Sequence, residues 1–554
     1  MTELEELQQL RALVEQQKLE LEKQQVKIEK QQTELEKKDE LIRKKDIQIE
    51  HMIQALLHAR KKLFGRSSEI TEGQLCLFET NQELAEQLSI EQKKVAVKSY
   101  KRTPRQPGIR EELLAGIPKV IEEYVIPEDD TCSVCGAPLK VIGKQIVRTE
   151  VEFIPAKVRV VQVVRQVAKC TECGIKEGSA EKEHFQKAAI PAKVLPHSIA
   201  THSLVAWIMY QKFAMGIPLH RQENDFYRMG LVLPRADMTH WVIRCSAEWL
   251  TPIYHRIHQA LLSLSVLHMD ETTIQCDKEE GRKASTNSYV WVMQSAACEE
   301  IRATFFHYSK SRARTVAEEL LKGFSGYLIT DAYQGYENIG NVKQSLCWAH
   351  LRRYFIESIP LDNKGKELLG SKGAEGREYI NLLFQLEEKL KDLSKEERKE
   401  QRQSGVTALL DAFWSWVEKT RELPTTNEKL TKALNYAKNH KEGFQTFLED
   451  GRLVISNNLI ESHIRPFAVG RKAWLFADTP KGAKANAVLY TIVESARAND
   501  LDVYEYLNYL LTELPEIGYA HEKAPEILDK YLPWSDQLPE EVRLKQKRKK
   551  CVEK

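Results

Sequence analysis

The stretch Asn457–Phe476 reads NNLIESHIRPFAVGRKAWLF. It sets one carboxylate, Glu461, four residues before Arg465, with Arg471, Lys472 and Trp474 close behind. A single acid in a basic, aromatic run holds little by itself, so its partners decide what the chain around it must build. Ser456 stands where a hydroxyl could cap a helix bearing Glu461, taking one of the orphan amides of the first turn. Pro466 predicts a kink or an end to that helix, because proline lacks the amide and its ring collides with the preceding turn.

Two aspartates upstream are the candidate partners. Leu264–Asp270 (LSVLHMD) and Tyr327–Asp331 (YLITD) are β-prone runs that each end on a carboxylate. Between them Tyr289–Gln294 and Ile301–Tyr308 read as strands and Ala313–Lys322 as a helix. Three strands, a helix and a further strand predict an α/β domain with a mixed sheet. Asp270, Asp331 and Glu461 are hard oxygen donors that suit Mg²⁺ or Mn²⁺. Two such ions can activate a water or a 3′-hydroxyl and stabilise the leaving oxygen of an in-line displacement at phosphorus. Glu271 rivals Asp270, because neighbours on a strand face opposite sides. Taken singly, each acid also reads as an ordinary strand-end or helix-surface charge.

Around these acids, Cys347–Arg353 (CWAHLRR) reads as helical, and His350, Arg352 and Arg353 are candidates for a place near a phosphate. His350 reads equally well as a satisfied helix histidine. Arg465, Arg471 and Lys472 suit phosphate contact better, being charges that one acid cannot neutralise. Trp474 reads as core. Residues 361–450 are dominated by charged helix formers, as in Leu386–Arg402, and share no β signal with their flanks, which predicts a helical insertion.

At 554 residues the chain is too long for one core, and its net charge of +2 hides local asymmetry. Lys93–Arg110 holds seven basic residues and no acid, and Arg543–Lys550 holds six more. Such blocks are solvated arms or nucleic-acid contacts. No signal peptide opens the chain and no apolar run is long enough to span a bilayer, which predicts a reducing cytoplasm and no membrane partner. There, paired cysteines mean metal rather than disulfide.

Stepping by seven from Leu7 meets Val14, Leu21, Ile28, Leu35, Ile42, Ile49 and Leu56, a coiled-coil heptad. The companion line Leu10, Gln17, Gln24, Gln31, Lys38, Lys45 and Met52 is mostly polar, so a weak or specific homo-oligomer is expected. Gly65 ends that helix, and Pro104 and Pro107 mark a linker. Cys132-Ser-Val-Cys135-Gly and Cys170-Thr-Glu-Cys173-Gly then form two knuckles flanking β-rich runs, Ile146–Phe153 and Val158–Val167. Four thiolates at Cys132, Cys135, Cys170 and Cys173 predict a closed tetrahedral Zn²⁺ site, structural because no position stays open. His202–Phe213, Leu219–Met229 and Arg235–Trp249 read as helices, with Gly230 and Pro234 punctuating the last two. That spacing suits a helix-turn-helix with Arg235 among its DNA contacts, or an ordinary helical hairpin.

These parts, in this order, resemble the transposases of the insertion-sequence-66 family. The resemblance is carried by Lys62–Glu69 (KLFGRSSE), His268–Thr272 (HMDET), Thr330–Tyr336 (TDAYQGY), Cys347–Phe355 (CWAHLRRYF) and, most specifically, Asn457–Phe476. It reaches from the first helix to about residue 515. It implies a leucine-zipper-like N-terminus, a zinc element, and a ribonuclease-H-like catalytic domain of the Asp-Asp-Glu class. On that resemblance Asp270, Asp331 and Glu461 take the three metal-ligand positions, which selects Asp270 over Glu271. Ser462 and Ala332 depart from the family's usual Asn and Gly without removing a ligand.

The expected protein is therefore a multidomain α+β chain. Its parts are a coiled coil at 1–65, a basic linker at 66–125, a zinc ribbon at 126–185 and a helix-turn-helix-like region at 186–258. The catalytic domain follows at 259–360 and 451–505, around the insertion at 361–450, with a C-terminal helix and basic tail at 506–554. The expected activity is metal-dependent 3′-end cleavage and strand transfer of an insertion sequence. Expected partners are DNA as element ends and target, and, on the resemblance, accessory proteins encoded beside the gene; the expected place is the nucleoid. The alternative is a non-enzymatic dimeric DNA-binding regulator or inactive relative, which has no need of the three acids.

Overall fold

The computed structural model describes residues 157–169, 185–363, 365–522 and 524–544, together with seven helical positions between Gln32 and Lys45. The apolar heptad line, the basic linker, Ile146–Phe153, the four paired cysteines and the basic tail from residue 545 lie outside the described residues. Within the first helix Lys38 and Lys45 of the polar companion line are exposed, and Glu40 pairs with Lys44 one turn on, at 2.8 Å.

Residues 157–166 carry no strand, contrary to the reading of Val158–Val167. Only β1 (Val167–Lys169) pairs, antiparallel, with β2 (Phe185–Lys187). A valine-rich run becomes a strand only where another backbone takes its amides and carbonyls. The helices follow: α1 (His202–Met209), α2 (Leu219–Arg228), α3 (Arg235–Cys245) and α4 (Thr251–Leu262). Pro218 and Pro234 precede α2 and α3, and Gly230 turns between them at φ 85°, a conformation only glycine adopts freely. The rod begun by α3 does not stop at Trp249. One π-helical turn, Ser246–Leu250, carries it into α4.

Next come β3 (Val266–Gln275), β4 (Asn287–Ser295), β5 (Thr304–Ser309), α5 (Arg314–Leu320), β6 (Gly326–Thr330) and β7 (Val342–Leu346). They are followed by α6 (Trp348–Ser358), α7 (Lys372–Lys389), α8 (Lys395–Gln401), α9 (Thr407–Glu422), α10 (Glu428–Asn439) and α11 (Lys441–Gln445). The described chain closes with α12 (Asn458–Trp474), α13 (Pro480–Ala498) and α14 (Val503–Ile517). It divides into two units, one of Met1–Leu77 with Tyr327–Asn458 and one of Phe78–Gly326 with Leu459–Lys554.

In the second of these, β5, β4 and β3 form an antiparallel meander with β4 between the other two. Asp270 does not end its strand. β3 runs five residues further, because Thr272, Thr273 and Ile274 are β-branched and β4 supplies a partner at each step, down to Gln275 opposite Asn287. α13 is buried along most of its length and lies against β5. Its Ser495 and Thr491 hydroxyls accept the amides of Thr304 (3.1 Å) and Phe306 (2.9 Å), so two outward amides of β5 are met by side chains of the helix that covers it.

In the other unit β6 and β7 are sheet neighbours, and residues 361–450 hold α7 to α11, the helical character read from composition. The run Leu386–Arg402 is broken at Leu390–Ser394, where Ser394 and Glu397 make a capping box for α8. Trp348 is fully buried among Phe413, Trp414, Phe444 and Phe447. Arg402 is 0% exposed, and all five of its N–H groups have acceptors. Glu387 takes two (2.9 and 2.7 Å), and the carbonyls of Phe447, Asp450 and Leu453 take the rest (2.7, 3.0 and 2.7 Å).

Candidate active site

Asp270 lies at the middle of β3, directly opposite Val292 of β4, which in turn lies opposite Phe306 of β5. Directly opposed residues share a face, so this face also carries His268, Gln294 and Thr304. Asp270 is half-buried, and its Oδ1 accepts the amide of Glu271 at 2.7 Å. Glu271 points to the other face. There its carboxylate, 3% exposed, is ion-paired with Arg312, whose Nε donates at 2.6 Å. The two acids thus face opposite sides of the sheet, with Glu271 held in an ion pair.

α12 lies along the Asp270 face and runs in the same direction as β3. Three contacts one helical turn apart hold it there. Gln294 donates to His463 (Nε2 to Nε2, 3.2 Å). Phe467 packs on Phe306 with ring centroids 6.2 Å apart. Arg471 donates to the Thr273 carbonyl and, at 3.1 Å, to its hydroxyl. Positions 463, 467 and 471 recur every four residues and so form one stripe. His463 Nδ1 donates to the Leu459 carbonyl (2.9 Å), which leaves Nε2 as the acceptor for Gln294, and burial holds its pKa below the ordinary histidine value.

Glu461 stands in the first turn of α12 and is half-buried. It shares a flank with Arg465 and Lys472, both exposed, at spacings of four and then seven residues. Two local expectations change. The residue bordering the helix is Asn457, fully buried with its amide donating to Cys347 Sγ (3.1 Å), so Ser456 is not the cap. Pro466 neither ends nor divides the helix, which continues to Trp474. Packing outweighs the lost amide. Phe467 is fully buried against Phe306 and Tyr490, and Gly470 lets α12 approach α13 so closely that a Cβ there would meet the Tyr490 hydroxyl.

In its own unit Asp331 immediately follows β6, a strand end as read. Its Oδ1 accepts the Tyr333 amide (3.0 Å), and its carbonyl accepts Gln344 Nε2 (3.1 Å). The Tyr436 hydroxyl accepts the neighbouring Ala332 amide (3.3 Å). Burial, then the nearby Asp331 charge, raises the pKa of that phenol well above its usual range. His350, Arg352 and Arg353 are half-buried in the first turns of α6, and Arg352 Nε donates to Asn381 of α7 at 2.7 Å. Arg235 is the exposed first residue of α3, its amide donating to Glu223 (3.0 Å).

Arg471 is thus engaged with β3, while Arg465 and Lys472 are presented outward. Trp474 packs edge-on against Phe467, as core rather than platform. Among the described residues no three His, Cys, Asp or Glu side chains are grouped closely enough to hold a metal ion. Gln294 and His463 went unread. The sole hint was a glutamine closing the apolar run YVWVMQ. Among the described residues no helix is long and apolar enough to cross a membrane.

Comparison with known proteins places this architecture. The model of the Transposase IS66 family matches residues 197–485, more than half the chain. The zinc-finger binding domain of transposase IS66 matches 129–174, which includes Cys132, Cys135, Cys170 and Cys173, and Transposase C of IS166 homeodomain matches 51–121. The chain belongs to the IS66 transposase family. DNA is accordingly its partner, and residues 129–174 match a zinc-finger domain. Similar proteins include the uncharacterized proteins y4hP and y4jD of Sinorhizobium fredii (strain NBRC 101917 / NGR234). Each is 27% identical, over 74% of this chain and 74% of y4hP, and over 76% of this chain and 81% of y4jD. The Drosophila P element transposase strand transfer complex aligns with 59% of this chain and 86% of its own at 14% identity and a TM-score of 0.22, a distant likeness.

Proposed function

We propose that the chain cleaves the 3′ ends of its insertion sequence and joins them to target DNA, with Asp270, Asp331 and Glu461 as the ligands of two divalent cations. One observation carries the reading: α12 is fixed along the Asp270 face of the sheet with Glu461 in its first turn and Arg465 and Lys472 on the same flank. The donor set fits Mg²⁺ or Mn²⁺, which are held by one or two carboxylates with waters and substrate phosphate completing the sphere, so no preformed all-protein cage is required. When bound, such ions lower the pKa of an attacking water or hydroxyl and neutralise charge on the leaving oxygen. The chain's part is to hold and to orient. Arg465 and Lys472 bind backbone phosphates beside Glu461, and Gln294 and Arg471 keep the helix in register with β3.

In cleavage, a water oxygen bonds to phosphorus as the 3′-oxygen departs and takes a proton. In joining, that 3′-hydroxyl bonds to a target phosphorus, a target oxygen leaves, and the number of phosphodiester bonds is conserved. The N-terminal helix would pair copies of the chain, and the zinc finger and α2–α3 would bind the element ends. The test is Mg²⁺-dependent nicking and joining of a labelled element-end duplex by the full chain, with any accessory proteins of the same element. Glu461→Gln and Asp270→Asn are expected to abolish both steps while retaining DNA binding. Full activity in either variant overturns the assignment.

A further inference from the structure

Leu475 and Phe476 follow α12 and are 66% and 43% exposed, and Val469 on the last turns of that helix is 57% exposed. Large apolar side chains standing outward together are unusual, and here the backbone is strained as well: Leu475 sits at φ 65°, where a branched side chain is disfavoured. Nothing about the position is loose. The Leu475 amide donates to Arg471 (2.7 Å), the Phe476 amide to Trp474 (2.9 Å), and the Ala477 amide to Gln275 at the end of β3 (2.9 Å), while Ala477 bridges Cys276. A rigid backbone therefore holds an apolar knob outward at the end of the strand that carries Asp270.

Its charge setting names the occupant. Arg465–Lys484 contains five basic residues against one acid, Asp478, and Asp478 is already paired with Lys278 at 2.8 Å. A protein partner with an apolar pocket would not require that excess. A polyanion with apolar steps between its charges would, and such side chains enter duplex DNA between base pairs. We infer that Leu475 and Phe476 form a wedge that unstacks a base step of the bound DNA while Arg465 and Lys472 hold the flanking phosphates. Gln275, which anchors the wedge, lies five residues beyond Asp270, roughly 17 Å along the strand, which corresponds to about five base steps. That spacing, unlike the wedge itself, rests on the reading of Asp270 as a metal ligand.

The test uses the full chain without added Mg²⁺, on short duplexes from the repeats flanking its gene, with 2-aminopurine at successive positions. A severalfold rise in fluorescence is expected at one step, lost in Leu475→Gly and Phe476→Ala. Leu475→Gly relieves the strained φ, so its melting temperature should hold or rise and loss of signal cannot be misfolding. An undiminished rise in both variants, or no rise at any step, overturns the wedge. Because no cleavage is measured, failure of the catalytic reading leaves this outcome unchanged. A signal displaced far from five steps would count against Asp270 alone.

Discussion

Gln294 of β4 and His463 of α12, 169 residues apart in the chain, are joined by a side-chain hydrogen bond two residues past Glu461. Gln294 also lies directly opposite His268, two residues before Asp270. Gln294→Leu should therefore loosen the first turn of α12. Leaving the buried His463 acceptor unmet costs about 1–3 kcal/mol. Single-turnover cleavage is expected to fall roughly tenfold, the effect of about 1.4 kcal/mol, with DNA affinity unchanged. Cleavage at the parental rate would show that this bond does not position Glu461.

Arg402 and Glu387 are expected to be the most sensitive buried polar pair of the insertion. Arg402→Met leaves three carbonyls unmet and Glu387 with Arg398 alone, and removing one partner of a buried ion pair costs about 3–5 kcal/mol. Arg402→Lys should recover little, because an ammonium cannot reproduce the five-pronged fork. Chemical denaturation measures the loss. Hydrogen exchange should show protection lost at Phe447–Leu453, the segment the guanidinium ties down.

His307 predicts acid sensitivity. Burial first, then the neighbouring His258, Lys484 and His255, lowers its pKa from 6.5 to about 4. Between those values the unfolded chain binds the proton that the folded chain refuses. Stability is thus fully present above pH 6.5 and declines as pH falls toward 4, by on the order of 3 kcal/mol. Melting temperatures measured across that window should fall, and His307→Gln should flatten the slope.

Removing zinc should act on DNA binding before catalysis. Residues 129–174 match a zinc-finger domain, and zinc held by the thiolates proposed for it, Cys132, Cys135, Cys170 and Cys173, would make folding of that segment depend on the metal. A thiol-reactive chelator is expected to release about one Zn²⁺ per chain and weaken element-end binding, measured by anisotropy. Residues 197–485 should melt as before.

Local punctuation explains what could be read in advance. Gly230 and Pro234 mark the end of α2 and the start of α3, and apolar runs mark β3 to β6. β7 escaped because VKQSL carries no apolar alternation. The reach of β3 past Asp270 and the passage of α12 through Pro466 also escaped, since each depends on a partner rather than on its own residues. For the site, the acids were legible as residue types, but the ion pair that holds Glu271 was not, because Arg312 lies far from it in sequence.

The hydroxyls of Ser495 and Thr491 have a consequence for assembly. A strand with two outward amides already taken and a helix lying along it is a poor template for another chain, so strand addition at β5 is disfavoured. Were several copies to gather on one DNA at high local concentration, growth by sheet extension would be disfavoured on that side.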